Sequence, residues 1–180
     1  MKNFTTTKSL TLALAAVAVV VPSIANAGLN GSTMGDQYYA YGGAYNAQTN
    51  FVVGAGIEDS FLNYYDVDVD DNSITFDYKI ATTWSTSALS LAPTIYNGTA
   101  VRMVSGPAFT NVTIDGATNM VGFDASRLSW NGSEIQVDWQ GLSFDEDTIV
   151  KLNVESVPEP ASMSVLLGGA LVAMRRKFKK

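Results

Sequence analysis

The pattern that most narrows the fold is a two-residue alternation of apolar and polar side chains. In "SITFDYKI", Ile74, Phe76, Tyr78 and Ile80 share one face, while Thr75, Asp77 and Lys79 share the other. "EIQVDW" sets Ile135, Val137 and Trp139 against Glu134, Gln136 and Asp138. "IVKLNVE" sets Val150, Leu152 and Val154 against Lys151, Asn153 and Glu155. Successive side chains of a strand point to opposite faces, so each stretch reads as a strand with one buried side. Weaker candidates are "NFVVGAG", "SFLNYYDVDV", "TAVRMV" and "AFTNVTI". Turns are expected at Asn97-Gly98, Asp115-Gly116, Asn131-Gly132 and the polar "DDNS" of 70–73, because Asn-Gly and Asp-Gly tolerate positive φ. Many short strands at close spacing predict an all-β fold, a single antiparallel β-sandwich, with a half-open barrel as the alternative.

The two ends of the chain follow other rules. Residues 1–27 read as a secretory signal peptide. Lys2 and Lys8 give a positive start, "LTLALAAVAVVV" is the apolar stretch, Pro22 breaks it, and Ala25 and Ala27 form a small-x-small cleavage site. The apolar run is short for a membrane span of about 20 residues. Residues 28–156 are then the folded body, about large enough for one sizeable core. Residues 157–180 carry Pro158, Glu159 and Pro160, an apolar run from Ala161 to Met174, and a basic tip beginning Arg175, Arg176, Lys177. As a helix that apolar run would reach about 21 Å, against a hydrocarbon core of roughly 30 Å. Counting from Val157, with the arginines snorkelling, brings it closer. A transmembrane helix is expected here, its basic tip cytoplasmic and the body across the membrane.

Signal peptide, Pro-Glu-Pro, apolar helix and Arg-rich tip together resemble the PEP-CTERM sorting arrangement. The resemblance implies recognition of Pro158, Glu159 and Pro160 by exosortase, a membrane-embedded cysteine protease-like enzyme. It implies a Gram-negative-type bacterium that makes exopolysaccharide, a transient inner-membrane anchor, and a final place at the cell surface or in the extracellular matrix. Within the body, "VGAGIED", "NSITFDY", "VGFDASRLSW" and "IQVDWQGLSF" resemble segments of small members of that group, over about Phe51 to Val154. That likeness supports a shared β-sandwich and brings no activity with it.

Composition limits the chemistry. The body holds 16 acidic residues against 4 basic ones, a net charge of −12. Such a surface repels nucleic acid and anionic headgroups. The chain has no Cys and no His, so the usual general base and nearly every zinc or copper site are missing. Hard cations on oxygen ligands remain. Asp66, Asp68, Asp70, Asn72 and Asp77 fall at positions 1, 3, 5, 7 and 12 of a calcium-loop count. Asp71 stands where that loop needs Gly, and Asp66, Asp68 and Asp70 also alternate with Val67 and Val69 as the wet face of a strand would. A second acidic run, Asp145 to Asp147, reads as a loop. No carboxylate pair is singled out for glycoside hydrolysis. A Ser–Lys dyad would need Lys79 or Lys151, and both sit at outward strand positions.

Two further features complete the reading. "MGDQYYAYGGAYNAQTN", 34–50, is expected to be a first edge strand with mobile flanks or an N-terminal arm. Its tyrosines suit an aromatic contact surface able to stack on sugars. Asn-x-Ser/Thr at Asn30, Asn97, Asn111 and Asn131 is explained for three of the four by Asn-Gly turns. The expected function is an exported, non-enzymatic surface or matrix protein associated with exopolysaccharide, floc formation or adhesion. Its expected partners are signal peptidase, exosortase and, transiently, the inner membrane, with no nucleic acid and no cofactor beyond calcium. A carbohydrate- or calcium-dependent binding module is the alternative, and a hydrolase the second alternative.

Overall fold

A computed structural model describes residues 27–89 and 97–157. The expected signal peptide apart from Ala27, and the expected anchor apart from Val157, lie outside the described residues, and Ala25, Pro158, Glu159, Pro160, Arg175, Arg176 and Lys177 lie with them. Among the described residues no helix is long and apolar enough to cross a membrane.

The described chain is all-β and every strand pairing is antiparallel. Its strands are β1 (Thr33–Ala40), β2 (Gly43–Ala44), β3 (Thr49–Val52), β4 (Ile57–Phe61), β5 (Tyr65–Asp70), β6 (Ser73–Tyr78), β7 (Thr82–Thr83), β8 (Asn97–Ser105), β9 (Ala108–Ile114), β10 (Leu128–Trp130), β11 (Glu134–Asp138), β12 (Ser143–Phe144) and β13 (Ile149–Val157). One 3-10 turn, Ala125–Arg127, precedes β10 and is capped by the Asp124 side chain. The first sheet runs β10-β11-β8-β1-β2, with β3 also on β1; the second runs β4-β5-β6-β13-β9; β12 and β7 form a ribbon.

The two large sheets share one core, which makes the fold sandwich-like. Met34, Tyr38, Val101, Ile135 and Val137 come from the first sheet. Val67, Val69, Ile74, Phe76, Val150, Leu152 and Val154 come from the second. The alternations at 73–80, 134–139 and 149–155 therefore place their apolar sets inside, as expected, with Ile80 past the end of β6 and packed at the core margin. A half-open barrel needs one continuously paired sheet, and the described strands pair in separate sheets.

Three local expectations are corrected. β1 is an interior strand, flanked by β8 on one side and by β2 and β3 on the other. Its burial on both faces explains why the tyrosine-rich stretch carries so little charge. "SFLNYYDVDV" is two strands, β4 and β5, reversed through Leu62 to Tyr64, and Tyr64 N–H donates to Phe61 O at 3.0 Å. Asn97-Gly98 opens β8 and is no turn. A Cβ on Gly98 would lie 1.8 Å from Val137 O, so this glycine serves close backbone approach. Asn131-Gly132 does turn β10 into β11, Asn131 Oδ1 accepting from Ser133 and Glu134 N–H. Asp115-Gly116 turns the chain out of β9, with Asp115 Oδ1 accepting from Ala117 N–H at 2.8 Å.

The sandwich has two distinct poles. At one, the β5–β6 turn meets both ends of the body. Ala27 N–H donates to Ser156 O at 3.1 Å, and the Ser156 hydroxyl donates back to Ala27 O. Leu29 N–H donates to Asp71 O and Val154 N–H to Asn72 O, each at 2.8 Å. The other pole gathers the β1–β2 turn, the β4–β5 turn, β7 and the start of β8. Strands β1 and β5, of eight and six residues, run between them, about 20–27 Å at roughly 3.3 Å per residue.

Candidate functional site

The second pole holds an open cleft of about 250 Å³. Its floor is aromatic. Tyr38 stacks on Phe61 with centroids 3.9 Å apart and planes at 18°. Trp84 lies 5.3 Å from Tyr38 and 5.1 Å from Tyr64. Such pairs are each worth about 0.5–1.5 kcal/mol beyond the area they bury. The floor is pinned by polar contacts. Trp84 Nε1 donates to the Tyr78 hydroxyl at 3.3 Å, and the Tyr38 hydroxyl donates to Asn97 Oδ1. Burial holds the Tyr38 pKa well above the ordinary tyrosine value, so that hydroxyl keeps its proton.

The rim is different. Tyr41, Tyr45 and Leu62 are 60, 57 and 63% exposed, while Tyr38, Phe61 and Trp84 beneath them are nearly closed off. Tyr45 stands edge-on to Tyr38 at 6.0 Å and 88°. Backbone geometry singles out the same rim. Among the described residues two non-glycines have positive φ, Tyr41 at 54° and Leu62 at 51°, and both line this cleft. Left-handed backbone costs an L-residue with a Cβ roughly 1–2 kcal/mol. Tyr41 and Gly42 (φ 81°) form the two-residue turn between β1 and β2, since Ala40 pairs with Gly43. Positive φ at both positions is the type I′ arrangement, where Asn, Asp or Gly is favoured first. A tyrosine there is the wrong residue for the turn and an apt one for a contact.

None of the described residues lining the cleft is Asp, Glu, Lys or Arg; the polar ones are Thr82, Thr83, Ser85, Asn97 and the tyrosines. The described lining thus offers ring faces and hydroxyls, with the Asn97 amide already engaged by the Tyr38 hydroxyl and the Ser85 carbonyl. The four body cations lie outside it. Lys79 Nζ is 2.5 Å from Asp77 Oδ2 and 3.2 Å from Asp66 Oδ2. Arg102 Nε donates to Glu134 Oε2 at 2.5 Å, and its guanidinium lies over the Tyr39 ring. Arg127 donates to Gln140 O at 2.7 Å. Lys151 lies mid-strand in β13, opposite Thr75 of β6.

The five residues of the calcium count do not wrap into a loop. Asp66 and Asp77 are cross-strand partners on β5 and β6 and share Lys79. Hydrogen bonding to Asp77 leads the causes that hold the Lys79 pKa up. Asp68 and Asp70 follow along β5, and Asn72 sits in the turn. Partial burial, with Asp70 and Glu58 nearby, raises the Asp68 pKa. Among the described residues no group of three or more acidic side chains is disposed to hold a metal ion. The Asp145–Asp147 loop is held by its own contacts, Asp145 Oδ1 accepting from the Thr148 hydroxyl at 2.7 Å.

Two acids break the outward pattern: Asp138, 9% exposed, whose Oδ1 accepts from Asn97 N–H at 3.0 Å, and Asp36. Asp36 is 2% exposed on the core face of β1, between Met34 and Tyr38, and accepts from the Thr99 hydroxyl. Burial pushes its pKa up to about 7, with the Thr99 hydrogen bond opposing and Asp59 adding to the rise. A period-two reading of "MGDQYYA" from Met34 would have found it. Of the cleft, the sequence singled out the stretch that carries Tyr38, Tyr41 and Tyr45 and did not single out Leu62, Tyr64 or Trp84. Leu62 was hidden inside an apparent strand, and Asn63 after it was the available turn signal.

Two other depressions are wider and lack this character. One is lined by Asn72, Asn111, Thr113, Asn153, Val154 and Glu155. The other lies beside Asn119, Val121 and the Asp145–Thr148 loop. Neither is lined by a residue with left-handed non-glycine backbone.

Fold and site together define an all-β, antiparallel, sandwich-like protein with an uncharged aromatic cleft at one pole. No family model matches the chain, and no curated protein or solved structure does.

Proposed function

We propose that this is an exported, non-enzymatic surface or matrix protein, and that its body acts by presenting the aromatic cleft to a ligand outside the cell. The observation that carries this is position. The cleft lies at the pole opposite Ala27 and Ser156, where the chain continues toward the signal peptide and the PEP-CTERM-like tail. A body tethered at either end would turn its cleft away from the membrane. The tail, through Pro158, Glu159 and Pro160, is the part read by exosortase; Arg175, Arg176 and Lys177 hold it in the membrane until it is cut. The uncharged lining supports binding over hydrolysis, since a hydrolase of this composition would need a tuned carboxylate or lysine in the site.

The test is made in a host that carries exosortase. Chromosomal Tyr41→Asn plus Tyr45→Ala should reduce adhesion or floc cohesion as far as deleting the gene does, with unchanged amounts of protein at the surface. Normal cohesion in that variant, beside a defective deletion strain, would show that the cleft is not the working part. Intact mass of the surface form tests the sorting: it should begin at Gly28 and lack the basic tip.

A further inference from the structure

We infer that the cleft takes one uncharged sugar ring of a polysaccharide chain, stacked against the exposed rings of Tyr41 and Tyr45. This rests on the proposal that the cleft is the protein's working part, and it adds the class of ligand. Four observations converge. The volume of about 250 Å³ falls below the roughly 300–1,000 Å³ of a drug-sized site, so it suits a single small ring. The cleft is open, so the remainder of a polymer can run out into solvent. Two rings more than half exposed stand over a closed aromatic floor, giving flat apolar faces of the kind that a sugar's C–H face covers. Hydroxyls of Thr82 and Ser85 lie among those faces, matching a ligand with alternating C–H and O–H edges.

Charge narrows the class. A uronic acid or sulfated sugar needs a cation, and none of the described residues lining the cleft is one, while the body carries a net charge of −12. A quaternary ammonium would meet ring faces that attract it. It would, however, make no use of the Thr82 and Ser85 hydroxyls at the cleft, where a sugar's hydroxyls can exchange hydrogen bonds with them. Strain supplies the remaining support. The left-handed backbone at Tyr41 and Leu62 holds two large apolar side chains at the rim, where a turn-favouring residue would fold more easily.

The experiment uses the full chain in mild detergent with EDTA, titrated with a neutral β-glucan, a neutral galactomannan, polygalacturonate and choline chloride. At least one neutral polymer should bind ten-fold or more tightly than polygalacturonate or choline. Tyr45→Ala and Tyr41→Asn should each weaken that binding about ten-fold while the melting temperature holds or rises. Preference for polygalacturonate or choline, lost in the same variants, overturns the sugar class and leaves the cleft standing as the site. Neutral-polymer binding that survives both variants overturns the cleft and the inference together. Failure of both neutral polymers to bind wild type overturns the inference, and the adhesion phenotype of the double variant then decides separately whether the cleft works at all.

Discussion

The two poles of this sandwich are built from the same kind of part, a tight turn between antiparallel strands, and they are built to different ends. At the pole of Ala27 and Ser156, the Asp71-Asn72 turn uses residues that turns favour, and its backbone carbonyls take up the N–H groups of Leu29 and Val154. Charge lies along the outer face of β5 and β6, screened by water, with Lys79 holding Asp66 and Asp77 toward the cleft end. At the other pole, Tyr41 and Leu62 occupy left-handed backbone and expose most of their surface. Stability alone would put Asn or Gly at both positions. Local strain of this sort persists where the surroundings over-determine it, and it gathers at working sites. The acidic hairpin, which composition makes conspicuous, carries ordinary structure; the quiet aromatic pole carries the cost.

The comparison can be broken most severely at the cleft floor. Trp84→Ala removes a buried ring that contacts Tyr38, Tyr64, Tyr78 and Phe144. Buried aromatic truncations cost about 3–5 kcal/mol, and chemical denaturation should show a loss of that size together with loss of ligand binding. A smaller effect from Trp84 than from an exposed hairpin residue would undo the distinction between the poles.

Next in size is the pH response of Asp36, the carboxyl beside that floor. Its folded pKa, about 7, lies above its ordinary 3.8. Between those values the folded state keeps a proton that the unfolded state releases, so stability falls as pH rises from about 4 to 7 and levels off above. Complete expression would amount to on the order of 4 kcal/mol. The raised pKa values of Asp59 and Asp68 act in the same direction. The lowered ones of Asp115 and Asp124 act oppositely, their stabilisation fading only as pH drops below the ordinary carboxylate value. Asp36→Asn should flatten most of the slope in melts taken from pH 4 to 8. An unchanged slope would place the effect on other groups.

The smallest effect is expected on the outer face of the β5–β6 hairpin. Lys79→Ala breaks an exposed pair with Asp66 and Asp77, and such pairs are worth about 0–1 kcal/mol. The melting curve should barely move, and it should be the same in millimolar calcium as in EDTA. A calcium-dependent rise in melting temperature would restore Asp66, Asp68, Asp70, Asn72 and Asp77 as a site.

Much of the fold was legible because period-two patterning reports burial directly, as in Ile74, Phe76 and Tyr78 or Val150, Leu152 and Val154. Where burial falls on both faces, as in β1, the pattern disappears and an interior strand resembles a loose Tyr- and Gly-rich arm. Asn97-Gly98 misled for a related reason. Glycine at a turn and glycine under a neighbouring carbonyl look alike until Val137 O is placed above it. The calcium count did not foretell the local geometry, because spacing along a sequence fixes a loop only if the chain curls; on β5 and β6 the same residues spread along two extended strands. The cleft was half legible. Tyr38, Tyr41 and Tyr45 stood out by composition, whereas Leu62, Tyr64 and Trp84 joined it only through the pairing of β4 with β5 and the packing of 82–85 against them.

The central claim is that strain at the cleft rim is kept for binding. Tyr41→Asn tests it most directly, because Asn suits the first position of a type I′ turn and Tyr41 is 60% exposed. Melting temperature and neutral-polysaccharide binding are measured on the same preparation. The substitution should stabilise by about 1 kcal/mol, roughly 3–5 °C for a body of this size, while binding weakens about ten-fold. A variant that melts lower than wild type, or melts higher and binds as well, would contradict the claim.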